Sequence, residues 1–432
     1  MSVEPPMAKR RSRRALLIAA AALAAAGCGT GATVVGGNNA YTATTLTVYT
    51  ALPLLGPDGA DMTSMVDGEE LALYLAGGHV GKLHVSIEEL DDAADPAVAS
   101  SLRSNTVLTG HSAQTASSDL STTAYIGDLD SASTALSLPL NNQNGILQLS
   151  PGAPYPGFTD RGPANVGGDP LNFYGNTPRT FARLVPSDTV QAQAIVRFMR
   201  SQGVRRLAVL RQSASPFETA IAPLVASAAR AAGIDVVAER DGIDTSTASS
   251  AAAFAPLAAA LARTHPDAVF AGAAPQRGTQ LLWKALHAGL PAAKLFAPSE
   301  LARPTFLSGL DPGAAAATYL TSPYLEPGQY PPAARTVLAQ IRRLFPGQTP
   351  TVYALYGYEA MHDVLSAIAR AKNPGQRGGG PGGLVATFFH LGVIHGVIGT
   401  YTIDRNGDTS LRTFDGYRVG AGATLRFVQA FS

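Results

Sequence analysis

Short apolar runs alternate with amphipathic segments through most of the chain, beginning near Thr45. The runs are three to eight residues long and rich in Leu, Val and Ile, which is typical of buried strands. These predicted strands lie at residues 46–49, 83–90, 207–210, 236–238, 268–271 and 294–297.

The segments between these runs have helical periodicity. In one of them Val190, Ala194 and Phe198 recur every four residues, with Ser187 available as the N-cap and Gly203 as the stop. Further helices are predicted at residues 69–77, 216–232, 252–264 and 278–288. Strands that alternate with helices predict a parallel sheet covered on both faces, with right-handed crossovers.

Two segments interrupt this alternation. Residues 162–176 are dominated by Gly, Pro and Asn and are predicted to form a long surface loop. Residues 373–383, with the sequence NPGQRGGGPGG, predict a flexible connection. Near the C-terminus, Asn406-Gly407 is a strong signal for a hairpin turn.

The N-terminus has the pattern of an export signal. Arg and Lys residues between positions 9 and 14 precede an apolar run at 15–26, which is shorter than the roughly 20 residues that span a bilayer. Ala26-Gly27-Cys28 then resembles the lipobox of a bacterial lipoprotein, although Ala25 stands where such boxes usually carry Leu. We expect a signal peptide at 1–28 and a lipid anchor on Cys28, the one cysteine in the chain. Residues 29–44, rich in Gly, Thr and Asn, predict a flexible tether.

Composition narrows the class of protein. The 432 residues suggest two domains. The 32 Lys and Arg residues nearly balance the 31 Asp and Glu residues, and outside the N-terminus no basic patch suggests nucleic-acid binding.

Several motifs, in order, resemble the leucine/isoleucine/valine-binding family of type I periplasmic binding proteins. The best is residues 124–159, AYIGDLDSASTALSLPLNNQNGILQLSPGAPYPGFT, which is similar to a family segment in which a strand leads into a helix and the next strand ends in Ser-Pro. Shorter matches lie at residues 53–68, 90–96, 181–188, 356–360 and 399–408. The resemblance covers nearly the whole chain after the tether.

This resemblance implies an α/β fold of two Rossmann-like lobes, joined by three crossing strands, with the ligand in the cleft between the lobes. The N-terminal lobe would comprise residues 45–185 plus 323–397. The C-terminal lobe would comprise residues 186–322 plus 398–432. Such lobes close around a ligand by hinge motion.

A polar segment after a predicted strand is the first candidate for the ligand site. Asp130, Ser131, Ala132 and Ser133 open a helix, whose free N–H groups suit a carboxylate or another polar head group. The alternative is that these residues only cap the helix. Gly152 and Ala153 follow the next strand, where the family offers backbone groups to its ligand.

At other positions the chain differs from its amino-acid-binding relatives. Pro154 stands where they have a ligand-binding Thr, Ala274 where they have a Tyr, and Asp61 where they have an aromatic residue. Glu300 lies near the acid that pairs with the ligand ammonium. Asp61, Asp130 and Glu300 are therefore expected either to form an acidic cleft for a cationic or amide-bearing solute, or to be solvated at its rim.

Other chemistries have weaker support. Residues 110–114, GHSAQ, resemble a nucleophile elbow but lack its closing Gly. The histidine pairs at 79/84 and 390/395 lack a third metal ligand.

We expect no enzyme activity, cofactor or metal. The predicted protein is a monomeric, extracytoplasmic lipoprotein, anchored to the membrane through Cys28, that passes a small polar solute to an ABC permease. The alternative is a ligand-sensing lipoprotein coupled to a signalling partner.

Overall fold

The computed structural model describes residues 45–92, 102–213 and 215–432, except for the side chains of 102–107. The predicted signal peptide, the tether and Cys28 lie outside these residues. Within the described ranges, no helix is both long enough and apolar enough to span a bilayer.

The first sheet has six strands in the order β2-β3-β1-β4-β5-β6. All neighbours are parallel except β2, which pairs antiparallel with β3. The strands are β1 Thr45–Leu52, β2 His79–Val80, β3 Leu83–Asp91, β4 Thr122–Ile126, β5 Leu147–Ser150 and β6 Phe181–Arg183.

The second sheet has seven strands in the order β15-β14-β11-β10-β9-β7-β8. Strands β7 to β11 are parallel, whereas β14 and β15 extend the sheet in antiparallel pairs. The strands are β7 Arg206–Gln212, β8 Asp235–Ile243, β9 Ala268–Gly272, β10 Lys294–Ala297, β11 Thr318–Ser322, β14 Phe414–Val419 and β15 Leu425–Phe431. A separate hairpin pairs β12 Ile394–Gly396 with β13 Gly399–Tyr401.

Helices fill the connections between the parallel strands. They are α1 Gly59–Leu75, α2 Leu102–Ser118, α3 Ser131–Gln143, α4 Leu171–Tyr174, α5 Asp188–Ser201, α6 Pro216–Thr219, α7 Ile221–Ala231, α8 Ala255–Ala262, α9 Arg277–Gly289, α10 Pro304–Leu307, α11 Pro312–Ala317, α12 Pro332–Leu344, α13 Tyr353–Arg370 and α14 Leu384–Phe388. The six strands predicted from apolar runs are all present, and both sheets are mainly parallel, as the alternation predicted.

The structure corrects two of the predicted helices. Residues 216–232 form two helices, α6 and α7, with a break at Ala220. The segment predicted at 252–264 begins as a 3-10 turn, Ala251–Phe254, and its α-helix ends at Ala262. Both segments are rich in Ala, so composition indicated helix but gave no signal for where each helix starts or stops.

The two irregular segments are more structured than their composition suggested. The loop at 162–176 contains the single-turn helix α4. The connection at 373–383 is held in place because Gly378 N–H donates to the Gly145 carbonyl at 2.7 Å and Arg377 donates to carbonyls that include Ser117 and Thr122. The predicted turn at Asn406-Gly407 is confirmed, since Ile403 and Thr409 pair on either side of it.

The chain crosses between the sheets three times. It leaves β6 for α5, returns after β11 so that α13 packs on α1, and crosses again between β13 and β14. The contact of α1 with α13 is close: a Cβ on Gly68 would lie 2.0 Å from the Ala354 carbonyl oxygen. Each sheet with its helices thus forms one lobe. The exact lobe boundaries proposed from the sequence stay a prediction.

Candidate functional site

A narrow cavity lies between the two lobes at the carboxyl ends of their parallel strands. Its volume of about 20 Å³ is little more than one water molecule occupies, so the lobes are nearly closed on each other. The lining residues come from both lobes and from the crossing segments: Leu129, Asp130, Gly152, Pro154, Val185, Pro186, Ser299, Glu300, Arg303, Pro323, Tyr324 and Tyr353. A solute larger than water therefore needs the cleft to open before it can enter.

The lobes contact each other through Asp58, which follows β1 in the first lobe. Its Oδ1 accepts a hydrogen bond of 2.9 Å from the backbone N–H of Thr305, in the second lobe. Its Oδ2 lies 3.6 Å from Nη1 of Arg303, and both side chains are only 10% exposed. These two contacts stabilise the closed arrangement of the lobes.

Glu300 lies directly after β10 and is only 6% exposed. Its Oε2 accepts a hydrogen bond from Ser299, but its Oε1 is buried and has no hydrogen-bond partner in the described part of the protein. Burial raises the pKa of Glu300 above its usual value, although the nearby Arg303 opposes the shift. A buried carboxylate oxygen without a partner is costly, and a cationic donor from a ligand would remove that cost.

Arg303 provides the opposite charge in the same cleft. It is 8% exposed, and its Nε donates to the Glu300 backbone carbonyl at 3.1 Å. Burial by itself lowers the pKa of Arg303, but Asp58 and Asp130 outweigh this and raise the pKa above its usual value. The guanidinium therefore remains charged and can bind a carboxylate.

Glu218, in helix α6, adds a second buried carboxyl group near Glu300. Burial, reinforced by the negative charge of Asp130, raises the pKa of Glu218 to about 8. Its Oε2 is buried and lacks a hydrogen-bond partner among the described residues. At neutral pH Glu218 is therefore largely protonated, and it contributes little negative charge to the cleft.

The polar segment at the start of α3 mainly caps its own helix. Asp130 is the N-cap, and its Oδ1 accepts the Ser133 N–H at 2.8 Å. Ser131 is fully buried, and its hydroxyl accepts the Tyr155 N–H at 3.1 Å. Ala132 and Ser133 are half-buried in the first turn. Of these four residues only Asp130 lines the cavity. Its capping role is observed, whereas its contact with a ligand stays a prediction.

Gly152 lines the cavity, whereas Ala153 is not among the lining residues. A Cβ at position 152 would lie 2.4 Å from the Leu129 carbonyl oxygen and 3.0 Å from the Tyr324 hydroxyl, so only glycine fits there. Ala153 is fully buried, and its carbonyl oxygen accepts a hydrogen bond of 3.2 Å from Arg183. The loop after β5 therefore contributes Gly152 and Pro154 to the cavity lining.

Ala274 and Asp61 lie outside the cavity lining. Ala274 is fully buried after β9, where its N–H donates to Gln212 at 2.7 Å. Asp61 is half-buried in the first turn of α1, and burial raises its pKa. Burial is the main cause of the raised pKa of Tyr324 and Tyr353, and the charge of Asp61 adds to it.

Arg303, Tyr324 and Tyr353 line the cavity but were not predicted from the sequence. The rings of Tyr324 and Tyr353 are 4.2 Å apart, and the Tyr324 hydroxyl donates to the Pro151 carbonyl at 3.0 Å, which connects the second crossing to the first lobe. One feature of the sequence pointed to Arg303 as a site residue: it is a cation three residues after Glu300 in an otherwise apolar stretch. No feature of the sequence pointed to Tyr324 or Tyr353. Tyr324 lines the cavity because of the second crossing, and Tyr353 lines it because of how α13 packs.

Two other groups of residues with potential chemistry lie elsewhere. The GHSAQ sequence lies inside helix α2 and not at a strand-to-helix turn, where a nucleophile elbow occurs. Glu359, His362 and Asp363 bring ligand atoms within 4.8 Å of one another. However, Glu359 already accepts bonds from Val397 N–H and the Tyr401 hydroxyl, and Asp363 also accepts from Tyr401. These carboxylates therefore have partners without a metal ion.

Comparisons with known proteins agree with this architecture. The sequence profile of the family described as periplasmic binding protein matches residues 45–419. No curated protein matches the chain.

Solved structures resemble the chain in fold at low sequence identity. A leucine binding protein from Thermotoga maritima is 18% identical, with a TM-score of 0.68, over 89% of this chain and 98% of its own. An ABC transporter substrate-binding protein from Desulfitobacterium hafniense, solved with Leu, is 20% identical with a TM-score of 0.66, over 89% and 100%. A solute binding protein from R. palustris, solved with 4-hydroxybenzoate, is 13% identical with a TM-score of 0.66, over 90% and 97%. The predicted two-lobe type I periplasmic binding fold is confirmed.

Proposed function

The chain belongs to the periplasmic binding protein family, and on that basis we propose that it captures a small polar solute outside the cytoplasm and delivers it to an ABC importer. The proposed solute is an amino acid or a related amine- or amide-bearing molecule. It binds when the cleft is open and is enclosed when the lobes close. Binding requires no covalent chemistry, so we propose a binding protein and not an enzyme.

The observation that carries this proposal is the unpartnered Oε1 of Glu300 in the cleft. An ammonium or amide N–H placed against this oxygen would supply the missing hydrogen bond, and an ammonium would also supply the missing charge. The structure thus supports a solute with an N–H donor that points toward the second lobe.

Arg303 supports a carboxylate at the other end of the solute. Leucine and 4-hydroxybenzoate, the molecules bound in two of the similar structures, both carry a carboxylate. Only leucine also carries an ammonium group. Because Glu300 and Arg303 line the same cavity, the pair fits a zwitterion better than it fits a simple acid. In the closed protein Arg303 lies beside Asp58, and we propose that the solute carboxylate shares the guanidinium with Asp58.

The remaining predicted site residues have supporting roles in this proposal. Asp130 adds negative charge to the wall opposite Glu300, and Gly152 allows the solute to approach the backbone after β5. Asp61 lies outside the cavity lining and adds negative charge to the first lobe. Ser131, Ala132, Ser133, Ala153 and Ala274 shape the loops around the site, and we propose no side-chain contact with the solute for them.

The proposed location follows from the family and from the N-terminus. We propose that cleavage during export falls before Cys28, so that residues 1–27 are removed. Cys28 then carries the lipid anchor, which keeps the protein near its permease. Globomycin inhibits the lipoprotein signal peptidase, so accumulation of an unprocessed precursor on treatment would support the anchor. Identical processing in a Cys28→Ser variant would contradict it.

The function is tested by thermal melting of the purified protein against amino acids, amides, polyamines, nucleosides and short organic acids. A ligand that binds only the native state raises its stability by about 2.7 kcal/mol at a hundred times its Kd. We expect stabilisation by amine-bearing carboxylates. Stabilisation by short acids that lack nitrogen, without stabilisation by amines, would contradict the proposed solute class.

A further inference from the structure

A second and larger cavity lies beside the crossing segments. Its volume is about 340 Å³, which is within the roughly 300–1,000 Å³ range of small-molecule pockets. Its walls include Pro186 from the first crossing, Pro323 and Leu325 from the second, and Leu411 from the third. We call it the hinge pocket.

The hinge pocket is separate from the cleft but adjoins it. Pro186 and Pro323 line both cavities. Tyr324 of the cleft packs against Tyr356 of the hinge pocket, with ring centres 4.7 Å apart. A layer of proline and tyrosine rings therefore divides the site for the solute from the hinge pocket.

The chemistry of the walls limits what the hinge pocket can hold. None of its lining residues carries a charge. The two tyrosine hydroxyls are already engaged, because Tyr356 donates to the Pro323 carbonyl at 2.7 Å and Tyr330 accepts the Leu325 N–H at 2.7 Å. Apart from the polar side chains of Gln329 and Thr413, the walls present proline, aromatic and aliphatic surfaces. Burial of these surfaces favours an uncharged, largely apolar molecule.

We propose that the hinge pocket binds a small, neutral aromatic molecule. A flat ring matches the proline and tyrosine faces, and no ion in the walls requires a charged partner. Tyr356 belongs to α13, which packs on the first lobe, whereas Leu411 precedes β14 of the second lobe. Rotation of the lobes moves these walls relative to each other. The bound molecule therefore favours one angle between the lobes and shifts the population toward it.

The test uses indole as the probe, with its binding to the full-length protein measured by saturation-transfer NMR titration. Leu325→Trp and Leu411→Trp each attach an indole ring to a wall of the pocket, from two different segments, and should fill it. Leu171→Trp is the matched control, because Leu171 is 54% exposed and lies outside the pocket lining. Thermal melting of each variant shows whether it is folded.

The wild type and Leu171→Trp should bind indole equally, and at least one folded pocket variant should bind it about tenfold more weakly or not at all. Saturating indole should also change the radius of gyration of the wild type in small-angle X-ray scattering. The pocket assignment is overturned if indole does not bind the wild type, or if it binds both folded pocket variants as tightly as the control. An unchanged radius of gyration at saturation would overturn the link to the lobe angle.

Discussion

Arg303 and Asp58 face each other across the cleft, with Nη1 of the guanidinium 3.6 Å from Oδ2 of the carboxylate. Each comes from a different lobe, so this ion pair forms only when the lobes are close together. The same Asp58 accepts the Thr305 N–H. The ion pair and this hydrogen bond thus stabilise the closed arrangement of the lobes, which must open to admit a solute.

Removing the charge of Asp58 should speed solute entry. Asp58→Asn loses the interlobe ion pair, and about 1 kcal/mol of closed-state stabilisation corresponds to roughly fivefold faster association. Stopped-flow mixing with the best solute of the melting panel measures this rate. Asp235→Asn is the control, since it breaks an exposed ion pair with Arg206 within one lobe. Equal association rates for Asp58→Asn and the control would mean that the ion pair does not limit opening.

Arg183 should be essential for stability. This fully buried residue binds Asp408 through Nε at 2.7 Å and donates to the Tyr155 carbonyl at 2.7 Å, so it ties the third crossing to the first lobe. Arg183→Met leaves a carboxylate and several buried acceptors without their donor, and about 3–5 kcal/mol of unfolding free energy should be lost. Urea unfolding measures it. Arg206→Met is the control, because Arg206 forms an exposed ion pair, and it should cost less than about 1 kcal/mol. Similar losses of unfolding free energy in both variants would refute the stabilising role of Arg183.

The contact between α1 and α13 should reject any side chain at Gly68. A Cβ there would lie 2.0 Å from the Ala354 carbonyl oxygen, so Gly68→Ala must separate the helices and should cost about 1–3 kcal/mol. Gly110→Ala is the matched control, because Gly110 lies in helix α2 with nothing within 4 Å of its added Cβ. That control should gain about 0.5–1 kcal/mol from helix propensity. Equal melting temperatures for the two variants would contradict this packing.

Glu218 should make stability depend on pH. Burial, followed by the charge of Asp130, raises the pKa of Glu218 to about 8, whereas an unfolded Glu has a pKa of about 4.3. Between these values the folded protein keeps a proton that the unfolded chain releases. The free energy of unfolding therefore falls as pH rises from about 4.5 to 8, by at most about 1.4 kcal/mol per pH unit from this group.

Replacing Glu218 isolates its contribution from those of other buried acids. Urea unfolding at several pH values between 5 and 8 should give a flatter profile for Glu218→Gln than for the wild type. Glu88→Gln changes the same charge at an exposed position on β3 and should leave the slope unchanged. Parallel profiles for wild type and Glu218→Gln would show that Glu218 titrates normally.

Local sequence pattern was enough to predict much of the fold and part of the site. Apolar runs marked the strands because buried parallel strands need them, whereas Glu300 was predicted from the resemblance to the amino-acid-binding relatives. Arg303 and Asp58 could not be paired from the sequence, because their contact depends on how two lobes close. The sequence allowed two interpretations of Asp130, a helix cap or a ligand contact. The hydrogen bond from the Ser133 N–H shows that Asp130 caps the helix.

In the proposed complex, Glu300 accepts a hydrogen bond from the N–H donor of the solute. Isothermal titration of the best amine-bearing solute into wild type, Glu300→Gln and the exposed control Glu88→Gln tests it most directly. Loss of a buried charged partner costs about 2–5 kcal/mol, so Glu300→Gln should bind at least roughly thirtyfold more weakly while Glu88→Gln binds like the wild type. Wild-type affinity in a folded Glu300→Gln variant would contradict the claim.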